Sequence, residues 1–438
     1  MRTTNTTAVN RRRFLEALLG AALLPGNTLA DPDDFESRDE LINFLMDEGD
    51  QLGVKCPGTG SAFGPFSRSS GVTGGAGWNP VAAQSDLQIL GEIINDIRDN
   101  RRFWWDDPDR VMPEWASLET SSDYSHLLTF EEAPPTFEFS ASDLEFLAAR
   151  NAFAPPSDNP RVLFGLRGCR IAPTDVTAAA PEMTPWGTAH RLETQLPNHI
   201  EARCVLGVWD RETARIRLFR GSTVPEVSHM FLYVFQIVGC NMLPTGQYRY
   251  RVGTHRPGSR NPQFGAFRQA EAVVVLRSPT DLVFRSSDLL EAWDRGTPAD
   301  NIHAAHYYGR GVPPNYSSAG CQVILGSHRE RNVGGPWAEF RKAAGLAATP
   351  HVRDDDRDFR YLLLTGLEAA LASKRDSDFV DRYRRIRFGS SGADAAELQQ
   401  GLGVNPDGDF RATSVLALIR RQKAQRKADT GIFTPTNS

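Results

Sequence analysis

Cysteine is scarce in this chain, with 5 in 438 residues. That is far too few for a disulfide scaffold, and an odd count leaves at least one thiol unpaired within the chain. Positive charge is short as well: 49 Lys and Arg stand against 54 Asp and Glu, a net charge of −5. Phosphate affinity rests on clustered Lys and Arg, so no nucleic-acid partner is expected. No apolar run approaches the roughly 20 residues a membrane helix needs, so no stable membrane span is expected either. With 37 Gly and 28 Pro, the chain falls short of low-complexity or fibrous composition. A Walker-type phosphate loop, an EF-hand spacing and a Cys/His zinc spacing are all missing, so neither cofactor nor metal is expected. What remains is ordinary globular composition, 40% hydrophobic and 24% charged. At roughly 100–200 residues per domain, the chain has room for two to four domains.

The compartment decides what a cysteine means. Asn10-Arg11-Arg12-Arg13-Phe14-Leu15 precedes a short apolar run, Ala17 to Leu24, and small residues at Thr28-Leu29-Ala30. This pattern resembles a twin-arginine export signal over residues 1–30, with cleavage leaving a mature chain outside the cytoplasm, in the periplasm or cell wall. A basic tail with a chance Arg run is the plainer alternative. Beyond it charge divides: residues 31–372 carry 33 Lys and Arg against 45 Asp and Glu, while residues 373–427 carry 12 against 7. Such a split suits a separate basic C-terminal module, although a solvated helix face also accounts for it.

Apolar spacing predicts helices around 39–46 and 83–97, separated by a Gly/Ser-rich loop, in an N-terminal region of unassigned role over 31–160. Trp104-Trp105 reads as packing or as a sugar-stacking platform. Ser140-Ala141-Ser142-Asp143 reads as a helix start. From about Arg161 the texture turns to strands. Val205–Trp209 and Arg215–Phe219 flank a hairpin-like turn, Gln247–Val252 alternates, and Ala272–Leu276 is continuously apolar, as in a buried strand. Helices are expected near Trp337–Ala344 and, longer, Tyr361–Ser373, with Asp354-Asp355-Asp356 as a solvated turn between them. Two further helical stretches, Ala395–Leu402 and Ser414–Gln425, bracket a turn at Asn405-Pro406-Asp407-Gly408.

The chemistry is concentrated between Asn301 and Ile324. His303 lies 18 positions before Cys321, across a loop rich in Tyr, Gly and Pro that ends in Ser318-Ala319-Gly320-Cys321. A thiol attacks as thiolate, and an imidazole can take its proton. Gly320 removes a side chain where a carbonyl would approach, and the backbone N–H groups of Gly320 and Cys321 at such a turn suit an oxyanion hole. From these residues alone, a core thiol ahead of an apolar Val-Ile run is the plainer reading. His255 and His306 read as loop or supporting residues, and His190, His199 and His229 lack metal-ligand spacing.

The same segment resembles the signature of the YkuD-type L,D-transpeptidase catalytic domain, a His followed after a loop by Ser/Thr-x-Gly-Cys. His303, Ser318, Gly320 and Cys321 fall on its positions, and Leu243-Pro244-Thr245-Gly246-Gln247-Tyr248 resembles an upstream element of the family. The resemblance runs from about Arg203 to Gly326. It implies a β-sandwich-like fold and a Cys321 thioacyl intermediate on peptidoglycan stem peptides, resolved by an amine or by water. Under it His303 is the base, with the Ala304 carbonyl or the Ser318 hydroxyl orienting the imidazole. Four positions depart from the pattern: Ala319 stands for a common His, Ala304 for a common Gly, and Gln322-Val323 for a common Ile-Arg. Hydrolysis as an L,D-carboxypeptidase or endopeptidase, or wall binding without catalysis, are the alternatives. Phe388-Gly389, Leu398-Gln399 and Asp407-Gly408-Asp409-Phe410 resemble a three-helix peptidoglycan-binding domain over 373–438. The expected fold is thus a mainly β catalytic domain over 161–372, with a helical N-terminal region and a small three-helix C-terminal domain. Peptidoglycan is the expected partner, and no protein partner is identifiable.

Overall fold

A computed structural model describes residues 134–154, 158–195, 197, 202–226, 241–258, 262–277, 293–307, 316, 318–329, 331–374, 383–427 and 430–435. The export signal, the helices at 39–46 and 83–97, Trp104-Trp105, Cys56, Cys240, His199 and His229 lie outside the described residues. The described part is mainly β, as its alternating and continuous apolar runs require.

Nine strands form one mixed sheet. The first of these, β2 (Arg161–Arg167), pairs antiparallel with β5 (Cys204–Asp210), and β5 forms the expected hairpin with β6 (Arg215–Ser222). A second hairpin joins β8 (Gly246–His255) to β9 (Gln263–Gln269). The others are β12 (Ile302–Tyr307), β13 (Gln322–Arg329), β14 (Asn332–Gly334) and β15 (Asp358–Thr365). Their order is β12-β9-β8-β15-β2-β5-β6-β13-β14, and β12 pairs in addition with β13. That extra pairing closes eight strands into a ring with β14 appended. Closure removes the free edges of those eight strands.

Smaller sheets complete the β structure. One has the order β1-β4-β3, from β1 (Thr136–Ser140), β3 (Cys169–Ile171) and β4 (Ala189–Thr194). The other joins β7 (Asn241–Met242), β10 (Val273–Arg277) and β11 (Trp293–Gly296). As expected of a continuous apolar run, Val273 to Leu276 are buried.

Helix α1 (Ala141–Arg150) starts where Ser140 predicts it, because Ser140 and Asp143 form a reciprocal capping box. Helix α2 is Gly335–Ala343, and its Trp337 and Phe340 meet Phe267 edge-on. The helix expected over Tyr361–Ser373 is instead a strand followed by a helix. Tyr361 to Leu364 belong to β15, parallel to β2, and helix α3 (Gly366–Lys374) begins after Thr365. A run apolar on all sides fits a buried strand as well as a buried helix. Gly366 permits the switch, since a Cβ there would lie 2.5 Å from the Gly168 carbonyl oxygen. Phe139, Leu144, Leu147, Phe164, Leu166, Leu362, Leu364 and Leu367 close a core between α1, α3 and the outer face of the ring. Asp354 is not solvated: it is buried, and it accepts from Arg341 Nη2 at 3.0 Å and the Ala347 N–H at 3.1 Å.

Helices α4 (Ala393–Gly401) and α5 (Ala412–Ala424) follow where apolar spacing predicts them. Among the described residues this region holds those two helices, and its flanks meet in a β-bridge, Ile386 with Phe433. The stretch leading into α4 packs on the ring: Phe388 stacks on Tyr248 at 4.7 Å and its carbonyl accepts from the Gln247 N–H. Every described residue falls in a single compact unit. None of the described helices is long and apolar enough to cross a membrane.

Candidate active site

The seam that closes the ring also closes the gap between His303 and Cys321. Parallel strands require a long connection, and β12 and β13 are far enough apart in the chain to allow one. Ile302 then lies beside Gln322 and His303 beside Val323, with the Gln322 N–H donating to the Asn301 carbonyl at 2.8 Å. Cys321 therefore immediately precedes β13, at the level where Asn301 precedes β12, and His303 follows two positions further along the seam.

Two backbone hydrogen bonds anchor the turn before Cys321. The Glu226 N–H donates to the Ser318 carbonyl and the Asn241 N–H to the Ala319 carbonyl. Gly320 has φ of +146°, and a Cβ on it would fall 2.6 Å from both the Asn241 carbonyl oxygen and Asp300 Oδ1. Glycine is thus required by backbone conformation and by the Asn241–Asp300 pair, whose own hydrogen bond measures 2.5 Å. Below them the Tyr250 hydroxyl donates to the Asp300 carbonyl at 2.6 Å. Burial, then the neighbouring Tyr361 and Asp300, push the Tyr250 phenol well above its ordinary value, so it remains a donor.

Two expected roles change in this arrangement. The Gly320 N–H donates to Ser318 Oγ at 3.1 Å, so it is spent within the turn instead of facing an oxyanion. Ser318 Oγ in turn donates to the Cys321 carbonyl at 2.7 Å, so the hydroxyl braces the turn and does not orient the imidazole. That orientation comes from Ala304, the other expected candidate: His303 Nδ1 donates to the Ala304 carbonyl at 2.7 Å. With the proton on Nδ1, the lone pair sits on Nε2, which is the tautomer a base needs.

Gln322 follows the thiol but turns the other way. It is buried, donates to the Gly320 carbonyl at 3.1 Å and accepts from the Tyr361 hydroxyl at 3.2 Å. Cys321, Val323 and Leu325 share an apolar cluster with Ala202, Ala305 and Tyr316. The thiol is 7% exposed and lies 3.5 Å from the Ala299 carbonyl oxygen.

His255 belongs to the site, although its sequence surroundings carry no motif. It ends β8, and its ring stacks on His303 with centroids 4.3 Å apart and planes 17° from parallel. One ring nitrogen of each histidine and Cys321 Sγ lie within 4.8 Å of one another. Proximity alone would suit a metal ion, but a nitrogen lone pair lies in its ring plane, and near-parallel stacked planes do not converge on one ion. The donor set fits proton transfer better than coordination. By contrast His190 is a structural residue, held among Asp175, Thr184 and the Ile216 carbonyl. The His306 side chain lies outside the described residues.

Cys169 and Cys204 are both buried free thiols. Burial, then the adjacent Cys204, raise the Cys169 thiol well above its ordinary value, so it is an inert packing residue. Set against known proteins, the chain matches no family model, no curated protein and no solved structure.

Proposed function

We propose that this protein is a cysteine acyl-transfer enzyme of the L,D-transpeptidase kind, acting on peptidoglycan stem peptides outside the cytoplasm. The observation that carries the reading is the meeting of Cys321 with His303, whose tautomer the Ala304 carbonyl fixes as a base. The finer expectations travel with it: the YkuD-like sandwich type of catalytic domain, the export signal and the wall-binding role of residues 373–438.

In the first step the Cys321 proton passes to His303 Nε2 and the sulfur attacks a stem-peptide carbonyl carbon. The C–S bond forms as the carbonyl π pair moves to oxygen. Collapse breaks the C–N bond, and His303 returns the proton to the departing amine. In the second step an amine or water attacks the thioester carbonyl, His303 takes its proton, and the C–S bond breaks to release Cys321. The apolar cluster around the thiol limits water at the sulfur and strengthens the electrostatics of both steps.

A second reading uses water as the acceptor, giving an L,D-carboxypeptidase or endopeptidase. The inward commitment of Gln322 favours it, since the position after the nucleophile serves the turn and not an acceptor's carboxylate. A third, wall binding without catalysis, requires an unreactive Cys321. Product analysis on purified muropeptides separates them: new cross-links for transfer, shortened stems or monomers for hydrolysis, and no change for binding alone.

A further inference from the structure

Two imidazoles in contact can share one role or divide two, and hydrogen bonds decide which. The Gln269 backbone N–H donates to Asn301 Oδ1 at 3.0 Å, which fixes the orientation of that amide. Asn301 Nδ2 must then be the group facing His255 Nδ1, at 2.7 Å, and it donates there. An accepting Nδ1 leaves the His255 ring proton on Nε2. His303 carries its proton on Nδ1, where it donates to the Ala304 carbonyl. The stacked rings therefore hold opposite tautomers.

We propose that His255 is a dedicated hydrogen-bond donor of the site, its Nε2–H stabilising the Cys321 thiolate, and that Asn301 is the positioning residue that sets this polarity. The proposal rests on the reading of Cys321 as a nucleophile and His303 as its base. Proton transfer runs from Cys321 to His303 Nε2 alone; the His255 N–H bond is never broken. The stack also places the face of His255 against the imidazolium that His303 becomes, an arrangement that favours the cation. Two side chains and one backbone N–H thus assign the roles: Asn301 precedes β12, Gln269 ends β9 and His255 ends β8. Buried polar chains of this kind are costly unless every member is satisfied, and this one is satisfied in a single direction only.

The test uses the full chain and needs no peptidoglycan. Nitrogen-15 spectra of labelled histidines report tautomers directly, and the expected result at neutral pH is Nε2–H for His255 and Nδ1–H for His303. An Nδ1–H tautomer at His255 in the wild type overturns the proposal. Alkylation of Cys321 by iodoacetamide, followed by peptide mass spectrometry to separate it from the other cysteines, supplies the second readout. His255→Leu should slow it about tenfold, the effect of losing one hydrogen bond to a charged sulfur. His255→Gln, which puts an amide N–H near the position of Nε2, should restore most of the rate. Asn301→Asp should move the His255 proton to Nδ1 and slow alkylation as His255→Leu does. Wild-type reactivity in His255→Leu, with His303→Ala still slow, refutes the His255 role while leaving the nucleophile intact. A Cys321 that is unreactive in the wild type and indifferent to His303→Ala refutes the underlying reading instead.

Discussion

Gly320 and Cys321 stand side by side, one fixed by space and the other by chemistry. A Cβ at position 320 meets backbone oxygen and a buried carboxylate at 2.6 Å, on a φ that L-residues rarely adopt. Gly320→Ala is therefore expected to lower stability by about 3 kcal/mol, combining backbone strain with displacement of the Asn241–Asp300 pair. A urea unfolding midpoint measures it; a midpoint within error of wild type contradicts the geometry. His303→Ala is expected to slow alkylation of Cys321 at neutral pH at least tenfold without shifting the melting temperature comparably. Much of this was legible in the sequence, since His303, Ser318, Gly320 and Cys321 sit in one short segment. The roles of Ser318 and Gly320 were not legible, because a hydroxyl and an N–H so close in sequence satisfy each other before they serve a substrate. His255 was legible least: only a fold that stacks the end of β8 on His303, across the intervening β9, brings His255 to the thiol.

At the level of elements, hairpins read well and switches read poorly. The β5–β6 hairpin follows from two β-rich runs around a short turn, whereas the apolar run Tyr361 to Leu364 gives no period to tell strand from helix. A further feature escapes any apolar pattern, because it is built from amides. Gln399 in α4 accepts from the Gly408 N–H and donates to Asp407 Oδ1, Ser414 Oγ and the Asp409 carbonyl. Gln422 in α5 accepts from the Gly431 N–H and donates to the Ile432 carbonyl, the same bracket repeated at the same offset. Each glutamine ties its helix to the following turn, where glycine adopts positive φ. Gln399→Leu should cost about 2 kcal/mol by removing the buried amide's hydrogen bonds to the turn, and exposed Gln400→Leu should cost almost nothing. Equal denaturation midpoints for the two variants would remove the bracket from the account.

Across the whole molecule, the boundary expected near residue 373 is crossed by buried charge. Arg387 pairs with Glu368 of α3, both side chains fully buried, and Tyr383 and Thr245 complete the network. Ending the chain after Lys374 would leave the Glu368 carboxylate buried without that cation, a loss on the order of 3–5 kcal/mol. Such a truncation should unfold well below the full chain; an unchanged midpoint would make the C-terminal helices an appendage. A second tie, Arg411 to Glu271 at 3.0 Å, anchors the start of α5. Burial raises Glu271 above its ordinary carboxylate value, against the opposing pull of Arg411 and the Arg249 N–H. The folded chain then holds that proton to higher pH than the unfolded chain, so stability falls as pH rises through the window above the ordinary value. Glu271→Gln should accordingly gain on the wild type as pH rises above the ordinary carboxylate value, read from denaturation midpoints on either side of it. The mainly β body and its helical tail were legible from texture and charge, but the ring closure was not, since it depends on pairing between strands distant in the chain. That closure carries the central claim, because it brings His303 to Cys321. The most direct test incubates purified muropeptides with the full-length wild type and with Cys321→Ala, followed by mass spectrometry of protein and products. A stem-peptide thioester on Cys321 and altered muropeptides are expected with the wild type, and neither with a folded Cys321→Ala. Equal product formation by both proteins, or none by either, would contradict it.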